Sequence, residues 1–152
     1  MEIATILAVL SILISGGSAW YSYSQNERLN KINIRSKYFE KIFDEHLIKN
    51  LPKARKYIRF DENGCLRDTG ELSEALTNMK HDALYFMYAD KEFYDNLRNL
   101  IMDLDDYVNE CGNRHYDNDQ HPSVLKNIQE KMEAIYECIL KSSLNGDNGF
   151  NR

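Results

Sequence analysis

Arg114, His115 and His121 fall within one short polar segment, Gly112-Asn-Arg114-His115-Tyr-Asp-Asn-Asp-Gln-His121-Pro122. They are the side chains of this sequence best suited to proton or phosphate chemistry. An imidazole titrates near neutral pH and can move a proton either way, while a guanidinium holds phosphorane-like charge. Such a pair suits metal-free cleavage of RNA by transfer to a 2′-hydroxyl. One protomer supplies a single pair, and a homodimer would juxtapose two, drawing base and acid from separate chains. Two other readings stand beside this one. His115, Asp117, Asp119 and His121 could bind a borderline metal, although they lack a fixed helical histidine spacing and only Cys111 lies near. Alternatively the segment is a polar connection, with Asn, Asp and Gly suited to turns and His121 capping a helix opened by Pro122. The sequence has no basic groove to serve a ribonuclease, so the reading leans towards a non-enzyme with no cofactor and no metal.

The elements that must position this segment are helical. Leu29, Ile32, Tyr38, Ile42, Phe43 and Leu47 are spaced for an amphipathic helix to about Asn50. Pro52 should break it and open a short helical piece to Ile58. Residues 60–70 read as a loop with Asn63-Gly64 as its tight turn. Ile58 and Leu66 could flank a small hairpin, but the helical surroundings favour an irregular loop. A helix over Glu71–Ala89 turns Leu72, Leu76, Met79, Ala83 and Phe86 inward. Asp90 should cap a third helix, Lys91–Cys111, carrying Phe93, Leu97, Leu100, Ile101, Leu104, Val108 and Cys111. Gly112 ends it. Pro122 opens the last, which carries Leu125, Ile128, Met132, Ile135 and Ile139 to about Leu144. Four amphipathic helices with few strand signals predict an all-α bundle. The tyrosines Tyr85, Tyr88, Tyr94, Tyr107 and Tyr136 fall mostly at helix-face borders, where a ring buries and its hydroxyl stays wet.

Before the bundle comes a different solvent preference. No charged side chain occurs from Ile3 to Asn26, and the apolar run from Ile3 to about Tyr23 matches the thickness of a bilayer core. Only Met1 and Glu2 precede it, whereas Arg28, Lys31, Arg35, Lys37 and Lys41 follow. Basic flanks resist translocation, which predicts a single-pass protein with its N-terminus outside and everything from about Gln25 in the cytoplasm. Trp20, Tyr21 and Tyr23 sit where an interfacial aromatic belt belongs. A cleaved signal peptide is the rival, with Gly17-Ser18-Ala19 as cleavage site, but the n-region has no Lys or Arg. The three cysteines, Cys65, Cys111 and Cys138, show no framework spacing, as expected in a reducing compartment. Ala4, Ala8, Ser11, Ser15, Ser18 and Ser22 recur at alternating four- and three-residue steps, one face of a helix. In lipid, small residues mark close helix packing and hydroxyls bond across it, so this stripe predicts a homo-oligomer.

The bulk numbers set limits. The chain has 152 residues, 28% of them charged, with a net charge of -5, a balance that speaks against gripping a long nucleic-acid duplex. Its basic character is local, from Arg28 to Arg59, beside the membrane lipid that the orientation implies. The expected domains are a transmembrane helix over 1–24, a cytoplasmic helical domain over 25–144 and a disordered tail over 145–152.

Arg114-His115, five residues and His121 resemble the arginine–polar–spacer–histidine signature of HEPN domains. The resemblance implies an all-α bundle, often a dimeric RNase, with the motif at the corner before the last helix. A small HEPN-like domain behind one N-terminal membrane helix is similar, over nearly its full length, to the membrane accessory proteins of type VI-B CRISPR systems, which accompany an RNA-guided RNase. That resemblance rests on architecture and one motif. It implies antiviral defence at the bacterial inner membrane, a ring of protomers, and a pore that dissipates the membrane potential once the RNase partner or its RNA products signal. Under it, Arg114, His115 and His121 are structural or partner-binding. The alternative is a membrane-tethered HEPN ribonuclease or toxin using Arg114 and His121.

Overall fold

The computed structural model describes the backbone of residues 2–145 and the side chains of residues 15–143. The chain divides into two compact units, 1–37 and 38–152. The described residues of the first, from Glu2 on, are helical, as part of α1 (Glu2–Lys41). Its Trp20, Tyr21 and Tyr23 are exposed, Trp20 by 78%. Among the described residues no helix is long and apolar enough to cross a membrane. The side chains of Ile3 to Ile14, which make up most of the expected span, lie outside the described ones.

The second unit is all-α apart from one small ladder. Beyond Lys41 the chain winds as a π-helix over Ile42–Asn50 and returns to α-helix in α2 (Leu51–Tyr57). The buried residues explain the wider turn. Ile42, His46, Leu47 and Leu51 are buried, at steps of four, one and four. An α-helical turn would spread them over half the helix circumference, and bonding from i to i+5 gathers them on one face. Pro52 does not interrupt this path. It has no N–H to give the Leu47 carbonyl five residues back, and that carbonyl accepts from the Tyr136 hydroxyl instead.

Residues 59–67 form an antiparallel hairpin and correct the irregular loop expected there. Strands β1 (Arg59–Phe60) and β2 (Leu66–Arg67) pair Arg59 with Arg67 and Phe60 with Leu66. The Asp61 carboxylate organises the turn, with Oδ1 accepting from the Asn63 and Cys65 amides at 2.9 Å and Oδ2 from Arg67 Nε at 2.8 Å. Arg67, with the two amides, holds the Asp61 carboxyl below its ordinary range.

The helix expected over 71–89 is divided. α3 (Gly70–Asp82) passes through a 3-10 turn, Ala83–Tyr85, into the short α4 (Phe86–Ala89). The break lets Phe86 pack edge-on to Phe93, centroids 4.9 Å apart, with Phe39 tilted against both. α5 (Lys91–Gly112) starts as expected, with Asp90 Oδ1 accepting from the Phe93 amide. α6 (His121–Asn145) packs along it. One apolar core joins Leu72, Leu76 and Met79 of α3 to Leu97, Ile101, Leu104 and Val108 of α5. Ile128, Ile135 and Ile139 of α6 complete it. The interior has the three- and four-residue spacing of amphipathic helices.

Candidate functional site

The segment between α5 and α6 is closed by the hairpin, and every histidine in it already has a partner. α5 ends in tight backbone bonds from Asn113 to the Glu110 carbonyl and from Arg114 to that of Cys111. Before α6, the Gln120 amide donates to the Asp117 carbonyl while its side chain accepts from the Asp117 amide, making a compact polar turn. Between these turns the Tyr116 amide donates to the Gly64 carbonyl at 2.9 Å, tying the corner to the tip of the hairpin.

His115 Nδ1–H donates to the Asn63 carbonyl. That bond puts its proton on Nδ1 and leaves Nε2, 3.6 Å from Asp117 Oδ1, as the nitrogen facing solvent. His121 Nε2–H donates to the Tyr116 carbonyl at 3.2 Å. Its ring lies flat on Phe60, with centroids 3.7 Å apart and planes 1° from parallel. Only Nδ1 of His121 keeps a free lone pair in this tautomer. Tyr116 meets Phe60 edge-on and donates its hydroxyl to Cys111 Sγ at 3.4 Å. That bond, together with burial, pushes the Tyr116 phenol up to about 12, so it stays protonated at neutral pH.

Arg114 points elsewhere. Its guanidinium pairs with Glu110 one turn back on α5 and is largely exposed. No hydrogen bond or ion pair joins Arg114 to His121 among the described residues. Arg114 follows α5 and His121 is the first residue of α6; the fold fastens the histidine and leaves the arginine on the surface. The carboxylates and imidazoles of His115, Asp117, Asp119 and His121 do not converge on a common point. Among the described residues, the one gathering of three metal-ligating side chains lies elsewhere, at Glu45, His46 and Asp82.

Of the proposed helix-packing stripe, Ser15, Ser18 and Ser22 are exposed on α1. Ala4, Ala8 and Ser11 lie outside the described side chains. The corner's partners missed in the sequence are Phe60, Asn63 and Gly64. Asn63-Gly64 did mark a turn, and Gly64 adopts φ +68°, yet nothing local indicated what the turn would touch.

Fold and corner together define an all-α chain whose histidine corner is fastened by a hairpin. No protein-family profile, curated protein or solved structure matches it.

Proposed function

We propose that this chain is a membrane-inserted, self-associating protein of antiviral defence, and that its N-terminal helix lines an inner-membrane pore. The observation that carries the proposal is the sequence from Ile3 to Asn26, free of charge and followed by Arg28, Lys31, Arg35, Lys37 and Lys41. A helix that continues unbroken from Glu2 to Lys41 supports it, as do the exposed rings of Trp20, Tyr21 and Tyr23 at the expected interface depth. Ala4, Ala8, Ser11, Ser15, Ser18 and Ser22 form the face on which protomers pack or line a wet lumen. The HEPN-like resemblance supplies the setting: an RNA-guided RNase partner, reached directly or through its RNA products.

A potential-sensitive dye tests this in cells expressing the chain with such an RNase and a matched target. Depolarisation on activation is expected, and Ser15→Leu should suppress it while the protein stays in the membrane. An unchanged potential, with wild-type protein confirmed in the membrane fraction, overturns the pore.

A second reading, a tethered HEPN ribonuclease, is favoured by the exposed Arg114 guanidinium at the corner and by the free Nδ1 of His121. Purified protein would then cut single-stranded RNA and His121→Ala would not. Equal activity in both removes the histidine from the chemistry.

A further inference from the structure

His46 is the one buried polar side chain among the described residues, 2% exposed, and it sits where two departures from regular α-helix meet. The π-helix Ile42–Asn50 carries Glu45 and His46. Asp82 ends α3 immediately before the 3-10 turn. π-helical turns cost hydrogen-bond geometry and concentrate at functional sites. Here the wider turn swings an imidazole into the core beside two carboxylates. The ligand atoms of Glu45, His46 and Asp82 all lie within 4.8 Å of one another.

We propose that Glu45, His46 and Asp82 bind a borderline divalent cation, with zinc as the best-suited ion. Imidazole with carboxylates suits zinc over magnesium or calcium, which take all-oxygen shells. His46 Nε2–H donates to Asp82 Oδ2 at 2.9 Å. Two ligands of a tetrahedral zinc, each about 2.0–2.1 Å from the metal, lie about 3.3 Å apart. Zinc therefore replaces that proton after a shift of a few tenths of an ångström. Glu45 is exposed, and its carboxylate already lies within 4.8 Å of the other two ligand atoms. The fourth position is left to solvent or to the exposed His81, whose Nδ1 is 3.9 Å from Asp82 Oδ1.

The surroundings supply the tautomer. Asn50 Nδ2 lies 3.5 Å from His46 Nδ1. When its amide turns over, Oδ1 accepts the Nδ1–H and the Nε2 lone pair faces the metal. Lys41 is the competing cation. Its ammonium bonds to Asp82 Oδ1 at 2.8 Å and leaves Oδ2 to His46. Because its side chain is 45% exposed, it moves into water at small cost when the metal arrives.

The test uses the full chain in mild detergent, with zinc titrated against a chromophoric chelator and cobalt as spectroscopic substitute. One ion per protomer is expected, with d–d bands of a four-coordinate nitrogen–oxygen site and no thiolate charge-transfer band. Glu45→Gln and Asn50→Ala should each weaken binding about tenfold or more. Both lie outside the packed core, so their folding is checked by circular dichroism. Lys41→Met should tighten binding, because it removes the competing ammonium. A plain His46–Asp82–Lys41 ion-pair network predicts the reverse pattern: no stoichiometric zinc, and lower stability in Lys41→Met. That pattern overturns the site, as would wild-type binding no tighter than that of Glu45→Gln, or a thiolate band assigning the ion to cysteine.

Discussion

His121 lies face to face with Phe60, the ring planes 1° from parallel and the centroids 3.7 Å apart. The histidine opens α6 and the phenylalanine belongs to β1, so this one contact joins the start of the last helix to the hairpin. It also sets the chemistry of the imidazole. With one face on Phe60 and Nε2–H on the Tyr116 carbonyl, the ring is held by the fold and keeps a single lone pair.

The stack should be measurable as a coupling. Phe60→Ala and His121→Ala each lower stability, and the double variant loses less than their sum. The shortfall should be about 0.5–1.5 kcal/mol, as for aromatic pairs, read from urea unfolding in a double-mutant cycle. Strict additivity would show that the rings merely sit side by side.

Gly64 and Gly70 should respond oppositely to alanine. At Gly64, φ is +68° and a Cβ would collide with the Tyr116 carbonyl oxygen and sit 3.1 Å from the His115 ring. Gly64→Ala should therefore cost about 1–3 kcal/mol and loosen the corner. At Gly70, the first residue of α3, a Cβ meets nothing within 4 Å. Gly70→Ala should stabilise by about 0.4–1 kcal/mol, mainly by restricting the unfolded chain. Thermal unfolding of the two variants side by side decides.

Asp61 gives the hairpin a pH dependence of known sign. Arg67 and the Asn63 and Cys65 amides hold its folded carboxyl below the ordinary value of 3.8. Its support is thus fully present above that value and is lost as pH falls through the lower, folded one. Amide exchange at Asn63 and Cys65, followed by NMR, should accelerate on acidification relative to flanking helical amides. Asp61→Asn should remove the pH-dependent component. An unchanged acid profile in that variant would assign the effect to another carboxylate.

Tyr136 donates its hydroxyl to the Leu47 carbonyl, inside the π-helix and 89 residues away in sequence. Tyr136→Phe keeps the ring and removes this bond, so a loss of about 0.5–1.5 kcal/mol is expected. Exchange protection should fall first over 42–51. Uniform destabilisation across all helices would show that the hydroxyl has no special hold on that turn.

The helices from Lys91 onward were legible because their information is local. Asp90 caps α5 through its own side chain, and Leu97, Ile101, Leu104 and Val108 repeat at the helical period that buries them. The all-α class followed from the same periodicity. The charge-free stretch after Glu2, with basic residues behind it, is likewise a property of sequence alone.

Other features needed residues far apart in the chain. The π-helix over 42–50 depends on His46 finding Asp82 and on Leu47 finding Tyr136. Its buried residues, four, one and four apart, resemble an imperfect α-helix until those partners are in place. The hairpin over 59–67 has strands of only two residues, too short for an alternating pattern. It is held by Asp61 within the turn and by Gly64 and Asn63 against Tyr116 and His115. Arg114 and His121 show the same division most plainly. Their spacing is written in the sequence, and it places Arg114 just after α5 and His121 at the first residue of α6. Whether they face each other is a matter of competition among neighbours. Glu110 one turn back takes the guanidinium, while Phe60 and the Tyr116 carbonyl take the imidazole, because each is already within reach once the helices and hairpin have packed.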